Sequence, residues 1–349
     1  MNARLLVVVA LLALPFAAAG CLYGRGPAGE MGNLALRSDC GLQALTSAGS
    51  LYLEKKEPND AFIVFKRAVE IDPKSYDAQL GLAKACGELG EAKIGLNAAE
   101  TAHALDPKQA DPLIAAGRIC FASWRFDEAR KYLTEAVALD PKRAEAWREL
   151  GRVQGRQARR EEGGSWTEAI RALQKACALE DQSAENHALL AEAYAEIGQL
   201  NGATDEYAKA VALDPKSADY PRNLAWLLIV QKKDLERARA LALQSDKLKR
   251  GDGDALVAAA VALIRQGKTD EAIDELRSAI DKVSGNPDVY FFLAEAAAER
   301  GSREDYVLAA SAWQYLQAAG VAPRHASVQD IRLVRTAIED GIQKYGLGR

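Results

Sequence analysis

Residues 106–141 read DPKQADPLIAAGRICFASWRFDEARKYLTEAVALDP, with an Asp-Pro pair at each end and two amphipathic runs between those ends. Asp72-Pro73 precedes Asp106-Pro107 by 34 residues, the interval that also separates Asp106 from Asp140. Asp214-Pro215 lies 74 residues beyond Asp140, but Glu180-Asp181, in the context ALEDQSAEN, stands 34 before Asp214 and replaces a missing pair. One unit therefore carries six extra residues, which fall in GRQARREEGGSWTEA between its two helical runs, where a loop lengthens at little cost. Proline cannot donate to the preceding helical turn and disfavours helix in the residue before it, so each pair ends a helix.

With each proline set at position 32, position 8 reads Gly49, Ala83, Gly117, Gly151, Ala191, Ala225, Ala260 and Ala294. Position 20, allowing one inserted residue near Lys232-Lys233, reads Ala61, Gly95, Ala129, Ala169, Ala203, Ala238, Ala272 and then Tyr306. Position 27 reads Ala68, Ala102, Ala136, Ala176, Ala210, Ser245, Ala279 and Trp313. Antiparallel helices cross closely only where both lack bulk, so small columns mark the crossings, and Tyr52, Phe65, Leu133, Trp147, Leu150, Leu173, Tyr194, Tyr207 and Leu276 fill the space between them. An apolar content of 49% with only 7% aromatics also favours close-packed helices over a sandwich or barrel.

On these columns the chain resembles the tetratricopeptide-repeat (TPR) family over roughly residues 42–316. The resemblance implies an all-α fold, a right-handed superhelical solenoid of about eight helix-turn-helix repeats. Each pair leaves an apolar face that only its neighbour covers, so the ends must be special. Tyr306 and Trp313 break the small columns where a terminal repeat is expected. A helix over about Val328–Tyr345, with Ile331, Val334, Ile338 and Ile342 on one face, is expected to cap the stack.

The N-terminus reads differently. Arg4 precedes an apolar run from Leu5 to Leu14 and the small residues Ala17, Ala18, Ala19 and Gly20, the pattern of a signal peptide over residues 1–20. The run is too short for a permanent transmembrane helix. Cys21, following Ala18-Ala19-Gly20, resembles the acceptor of a bacterial lipobox, which implies acylation and a lipid anchor; bacterial lipoproteins usually carry leucine where Ala18 stands. Ala17-Ala18-Ala19 also suits ordinary signal peptidase, so a soluble secreted product is the alternative. Leu22 stands where aspartate retains such proteins at the inner membrane, which implies the outer membrane, facing the periplasm. Residues 21–41, with Gly24, Gly26, Pro27, Gly29 and Gly32, read as a flexible tether. The C-terminal loop and capping helix occupy 317–349.

No chemistry is legible along the array. His103, His187 and His325 share no helix face, so metal chelation is not expected, and His187 occupies a packing position. Cys86 and Cys120 both sit at position 11, one repeat apart and beyond disulfide reach; with Cys177 they read as small apolar filler, while Cys40 ends the tether. There is no Gly-rich phosphate loop, carboxylate pair or nucleophile elbow, so neither an enzyme nor a cofactor is expected. A formal net charge of -4 excludes a global basic field for nucleic acid.

In the TPR family the first helices line a concave groove at positions 2, 5, 9, 12 and 13. Position 2 holds Asp77, Asp111, Glu145, Glu185, Asp219, Asp254 and Asp288, acids that the helix dipole favours in a first turn. Arg118, Arg148, Arg152 and Arg156 form a basic patch, either a solvated face or a site for an acidic partner. Trp226, Ile229, Val230, Val257, Val261, Ile264 and Phe291 form an apolar row suited to a partner helix or extended peptide, unless Trp226 turns inward at the repeat-six insertion. The Lys and Asn set of chaperone-tail TPRs is not present. The expected function is a non-catalytic protein-protein interaction scaffold tethered to the bacterial envelope, assisting assembly of a pilus, secretion or outer-membrane complex. The alternatives are a soluble periplasmic or secreted peptide- or glycan-binding protein, or an accessory scaffold of a polysaccharide synthase.

Overall fold

A computed structural model of the chain describes residues 41–160, 165–283 and 285–347. The signal peptide, the lipobox with Cys21, the tether and Cys40 all lie outside the described residues. Among the described residues there are seventeen α-helices and no strand, arranged as consecutive packed pairs with one helix left at the end. The chain divides into two compact units, one ending at Asp181 and the other starting at Gln182.

The first unit holds four pairs: α1 Leu42–Glu54 with α2 Pro58–Ile71, α3 Tyr76–Leu89 with α4 Ala92–Leu105, α5 Asp111–Ala122 with α6 Phe126–Leu139, and α7 Ala144–Arg160 with α8 Thr167–Leu179. The small columns sit at the crossings: Ala61, Ala68, Ala83, Ala102, Ala129, Ala136, Ala169 and Ala176 are all fully buried. Phe65 of α2 shows why some of these positions carry no side chain at all. A Cβ on Gly49 of α1 would stand 2.6 Å from its ring, and one on Gly81 of α3 only 2.1 Å, so a single phenylalanine is seated between two bare helix surfaces. Leu133 and Leu173 press on Gly117 and Gly151 in the same way.

The Asp-Pro pairs do more than stop helices. The carboxylates of Asp72, Asp106, Asp140 and Asp214 each accept from the amide two residues on, at 2.9 to 3.1 Å, so the aspartate builds the turn that the proline begins. The six-residue insertion is accommodated in part by prolonging α7 to 17 residues, and Trp166 after it packs against Gly155; residues 161–164 lie outside the described set.

The second unit holds α9 Ala184–Glu196 with α10 Leu200–Leu213, α11 Asp219–Val230 with α12 Leu235–Leu248, α13 Gly253–Arg265 with α14 Thr269–Lys282, α15 Pro287–Arg300 with α16 Arg303–Ala319, and the final α17 Val328–Tyr345. One continuous core runs from Ala191 to Ile338. The single-residue insertion of repeat six is absorbed by a turn in which Lys232 and Asp234 take left-handed backbone, φ 51° and 41°, and Asp234 then caps α12 through the Arg237 amide. In the last pair the buried face of α16 is Asp305, Ala309, Ala312 and Leu316. Tyr306, which breaks the column, lies instead over Gly341 of α17, whose absent Cβ would stand 2.0 Å from the ring. Val334 and Ile338 of α17 are buried against this end, with Ile331 and Ile342 beside them, so α17 caps the unit. No described helix is long and apolar enough to cross a membrane.

Candidate functional site

In the first unit the arginines expected as a surface patch are organised around a carboxylate. Glu149, in mid-α7, is only 1% exposed. Its Oε1 accepts from Arg118 Nε of α5 at 2.9 Å and lies 3.7 Å from Arg148, while Oε2 is paired with Arg152. Arg118 also reaches Glu145 at 3.2 Å, and Arg143 is paired with Asp111 and lies 3.4 Å from Glu145. The Arg152 guanidinium stands 4.7 Å above the Phe121 ring. A buried carboxylate is tolerated because it is paired and hydrogen-bonded; here it fixes guanidinium groups from two successive first helices, with Arg118 still 44% exposed. Four guanidiniums thus meet three carboxylates, and Arg156 lies exposed one turn further on. Glu149 was not singled out from the sequence, although a carboxylate beside Arg148 and one turn before Arg152 was the available signal.

The second unit corrects the expected apolar row. Phe291, Val257, Val261, Ile229 and Ile264 are buried in its core, so in this structure they are packing residues and not a groove lining. The physical reason is local: α13 carries alanine at 255, 258, 259, 260 and 262, which lets neighbouring helices close over Val257 and Val261. Val230 is exposed. Trp226 does not turn inward to fill the insertion. It is half-buried, with its ring 6.3 Å from Phe292 and stacked on His325 at 3.8 Å and 8°.

His325 belongs to the segment 321–326 between α16 and α17, which crosses the first-helix face of this unit. Arg324 Nη2 lies 2.6 Å from Asp254 of α13, and its Nε lies 3.6 Å from Asp288 of α15. The His325 amide donates to Asp288 Oδ1 at 2.9 Å. Loss of solvation lowers the His325 pKa, an effect that Asp288 and Asp254 only partly offset. Asp254 and Asp288 do lie in first turns, as the dipole argument requires, but they also hold this segment. The ligand atoms of Asp254, Asp288 and His325 lie within 4.8 Å of one another, a spacing open to a cation. Arg324 already supplies positive charge to both carboxylates, which makes the group an ion-pair set rather than a metal site.

Family models described as tetratricopeptide repeat match residues 42–75, 110–143, 184–217 and 253–296. These four segments are tetratricopeptide repeats, and the described helices between them continue the same paired fold. Among solved structures it is similar to the Cut9-Hcn1 hetero-tetramer of the APC/C, with a TM-score of 0.57 at 17% identity over 84% of this chain and 55% of that one. It is also similar to the pilF protein of Pseudomonas aeruginosa, with a TM-score of 0.51 at 23% identity over 61% of this chain and 94% of that one. A thermophilic TPR protein of Thermus thermophilus matches at a TM-score of 0.48 and 25% identity, over 54% of this chain and 100% of that one. No curated protein matches the chain.

TPR arrays are scaffolds that hold proteins, and the first helices of the repeats carry both clusters described above. The arginine cluster belongs to repeats three and four, and the Trp226, Asp254 and Asp288 set to repeats six to eight. The other two histidines stand beside carboxylates: His187 is buried with Nδ1 on Glu206, and His103 Nε2 lies 3.8 Å from Glu135. Burial pushes the thiols of Cys86 and Cys120 up to about 11, which makes them inert filler, and Cys177 is half-buried.

Proposed function

We propose that this TPR chain is a scaffold of the bacterial envelope, anchored through an acylated Cys21 and holding an acidic protein segment on the first-helix face of repeats three and four. Its role is then to assist assembly of a pilus, secretion or outer-membrane complex. The supporting observation is the cluster around Glu149, where guanidinium groups are held in place before any partner arrives. Pre-positioning lowers the ordering entropy of binding, and arginine suits planar carboxylate recognition. The anchor rests on the sequence pattern of residues 4–21.

Two measurements test the two parts. Intact mass of the mature protein is expected to show acyl chains on Cys21, and Cys21→Ser is expected to move the protein into the soluble fraction; membrane retention of that variant after a high-salt wash would remove the lipid anchor from the account. Arg118→Ala with Arg152→Ala is expected to weaken partner capture and flatten its salt dependence; because it also strips buried Glu149 of two of its partners it is expected to lower the melting temperature, so capture is compared at a temperature where both proteins are folded.

A further inference from the structure

The segment 321–326, Val-Ala-Pro-Arg-His-Ala, contributes little to the core. Gly320, in left-handed backbone, ends α16, and Ser327 opens α17 with a capping box, so both helices are complete without it. Val321 is exposed, and Arg324 keeps 60% of its side chain in solvent. Nevertheless the segment reaches three successive first helices: the ring of His325 on Trp226, Arg324 on Asp254, and both residues on Asp288. These positions, 9 in repeat six and 2 in repeats seven and eight, are among those that the TPR resemblance assigns to the concave groove.

The receiving side is better built than what occupies it. Asp288 is fully buried, yet its Oδ2 makes no hydrogen bond and has only Arg324 Nε at 3.6 Å. Trp226 Nε1 is likewise buried without an acceptor. Buried polar atoms are ordinarily satisfied, and a guanidinium engaging Asp288 and Asp254 more fully would satisfy the carboxylate. Arg324 itself keeps most of its side chain in solvent and reaches Asp288 only at 3.6 Å, so it fills the site incompletely and holds weakly. A weakly held segment on a strong acceptor site is readily exchanged.

We propose that residues 321–326 are a built-in competitor on the partner-binding face of the second unit, and that the partner they exclude is an extended protein segment carrying an arginine followed by a planar side chain. This rests on the scaffold reading, but it concerns a second surface of opposite charge preference. An incoming segment must displace Arg324 and His325, and its apparent affinity is reduced by the fraction of molecules in which they are seated. The device keeps an acidic, aromatic surface covered until such a segment is present.

The test uses the full mature chain and a fluorescent peptide of its own sequence, VAPRHAS, followed by anisotropy at neutral pH and low salt. Arg324→Ala with His325→Ala is expected to bind the peptide at least tenfold more tightly than the unaltered chain. Adding Asp254→Asn to that variant is expected to abolish the gain, and a peptide with alanine in place of arginine is expected not to bind. His325→Ala alone removes only the ring stacked on Trp226, outside the core, and is expected to give a smaller gain, which keeps the test open should the double variant unfold. Equal affinity for the unaltered chain and the variants, no binding to any of them, or indifference to Asp254→Asn would overturn the proposal. Capture of an acidic partner that depends on Arg118 and Arg152 is read separately, so loss of one result leaves the other standing.

Discussion

Replacing Gly81 by alanine tests the seating of Phe65 through the sign of the effect. In an unobstructed helix interior the change is stabilising by about 1 kcal/mol, because alanine loses less backbone entropy. Here the new Cβ would stand 2.1 Å from Phe65 Cε1 and 2.3 Å from Cζ, while the α1 backbone lies so close on the opposite side that a Cβ on Gly49 would itself stand 2.6 Å from the ring. Ordinary carbon contacts are about 3.5 to 4.0 Å, so the ring must move by more than 1 Å with no free direction. Overpacking of this kind costs about 1 to 3 kcal/mol, so Gly81→Ala is expected to destabilise. Phe65→Ala alone should cost about 3 to 5 kcal/mol, since neither glycine can extend a side chain into the space. With the ring gone, Gly81→Ala should turn stabilising by about 1 kcal/mol, giving a coupling of about 2 kcal/mol or more between the two sites. Urea unfolding of the four proteins, with slopes compared to check that each loses the same structure, measures the cycle. Additive effects, or a stabilising Gly81→Ala in the unaltered chain, would refute the packing argument.

Three further outcomes are expected. Glu149→Gln leaves Arg118, Arg148 and Arg152 without their shared charge and should destabilise by about 3 kcal/mol at most, because the arginines are partly solvated; calorimetry at low and high salt reads it. The Arg300 guanidinium and the Ser302 cap hold Asp305 at about 2, below its ordinary 3.8, so its contribution is complete above about pH 4 and is lost as pH falls through 2. The gap in melting temperature between the unaltered chain and Asp305→Asn should therefore be widest near neutral pH and close towards pH 2. Cys86 and Cys120 should resist iodoacetamide at pH 8 in the folded protein and react on unfolding, as mass spectrometry of labelled peptides will show.

The array was legible in the sequence because its constraint is local and repeated. A crossing helix pair admits only small residues, and Ala83, Ala129 and Ala225 are each buried completely where the 34-residue period places them. The terminal helix was legible for a similar reason, since Ile331, Val334, Ile338 and Ile342 form one stripe. The groove was not read correctly at Phe291, Val257, Val261 and Ile229. Position within a repeat says which way a residue points in an average array, whereas α13 is apolar all round, the mark of a helix covered on every side. Arg324 lies 70 residues from Asp254, and no periodicity connects a connecting segment to a helix start. Glu149 was overlooked because charges in a mixed run read as solvated surface, while its burial depends on Arg118 of the preceding repeat.

The central claim is that this chain holds other proteins through its first-helix faces, and crosslinking in native membranes followed by quantitative mass spectrometry addresses it directly. The unaltered chain should crosslink a defined set of envelope proteins, and Arg118→Ala with Arg152→Ala should reduce at least one of them severalfold at equal abundance of folded protein. An identical crosslinked set from both proteins would contradict the account.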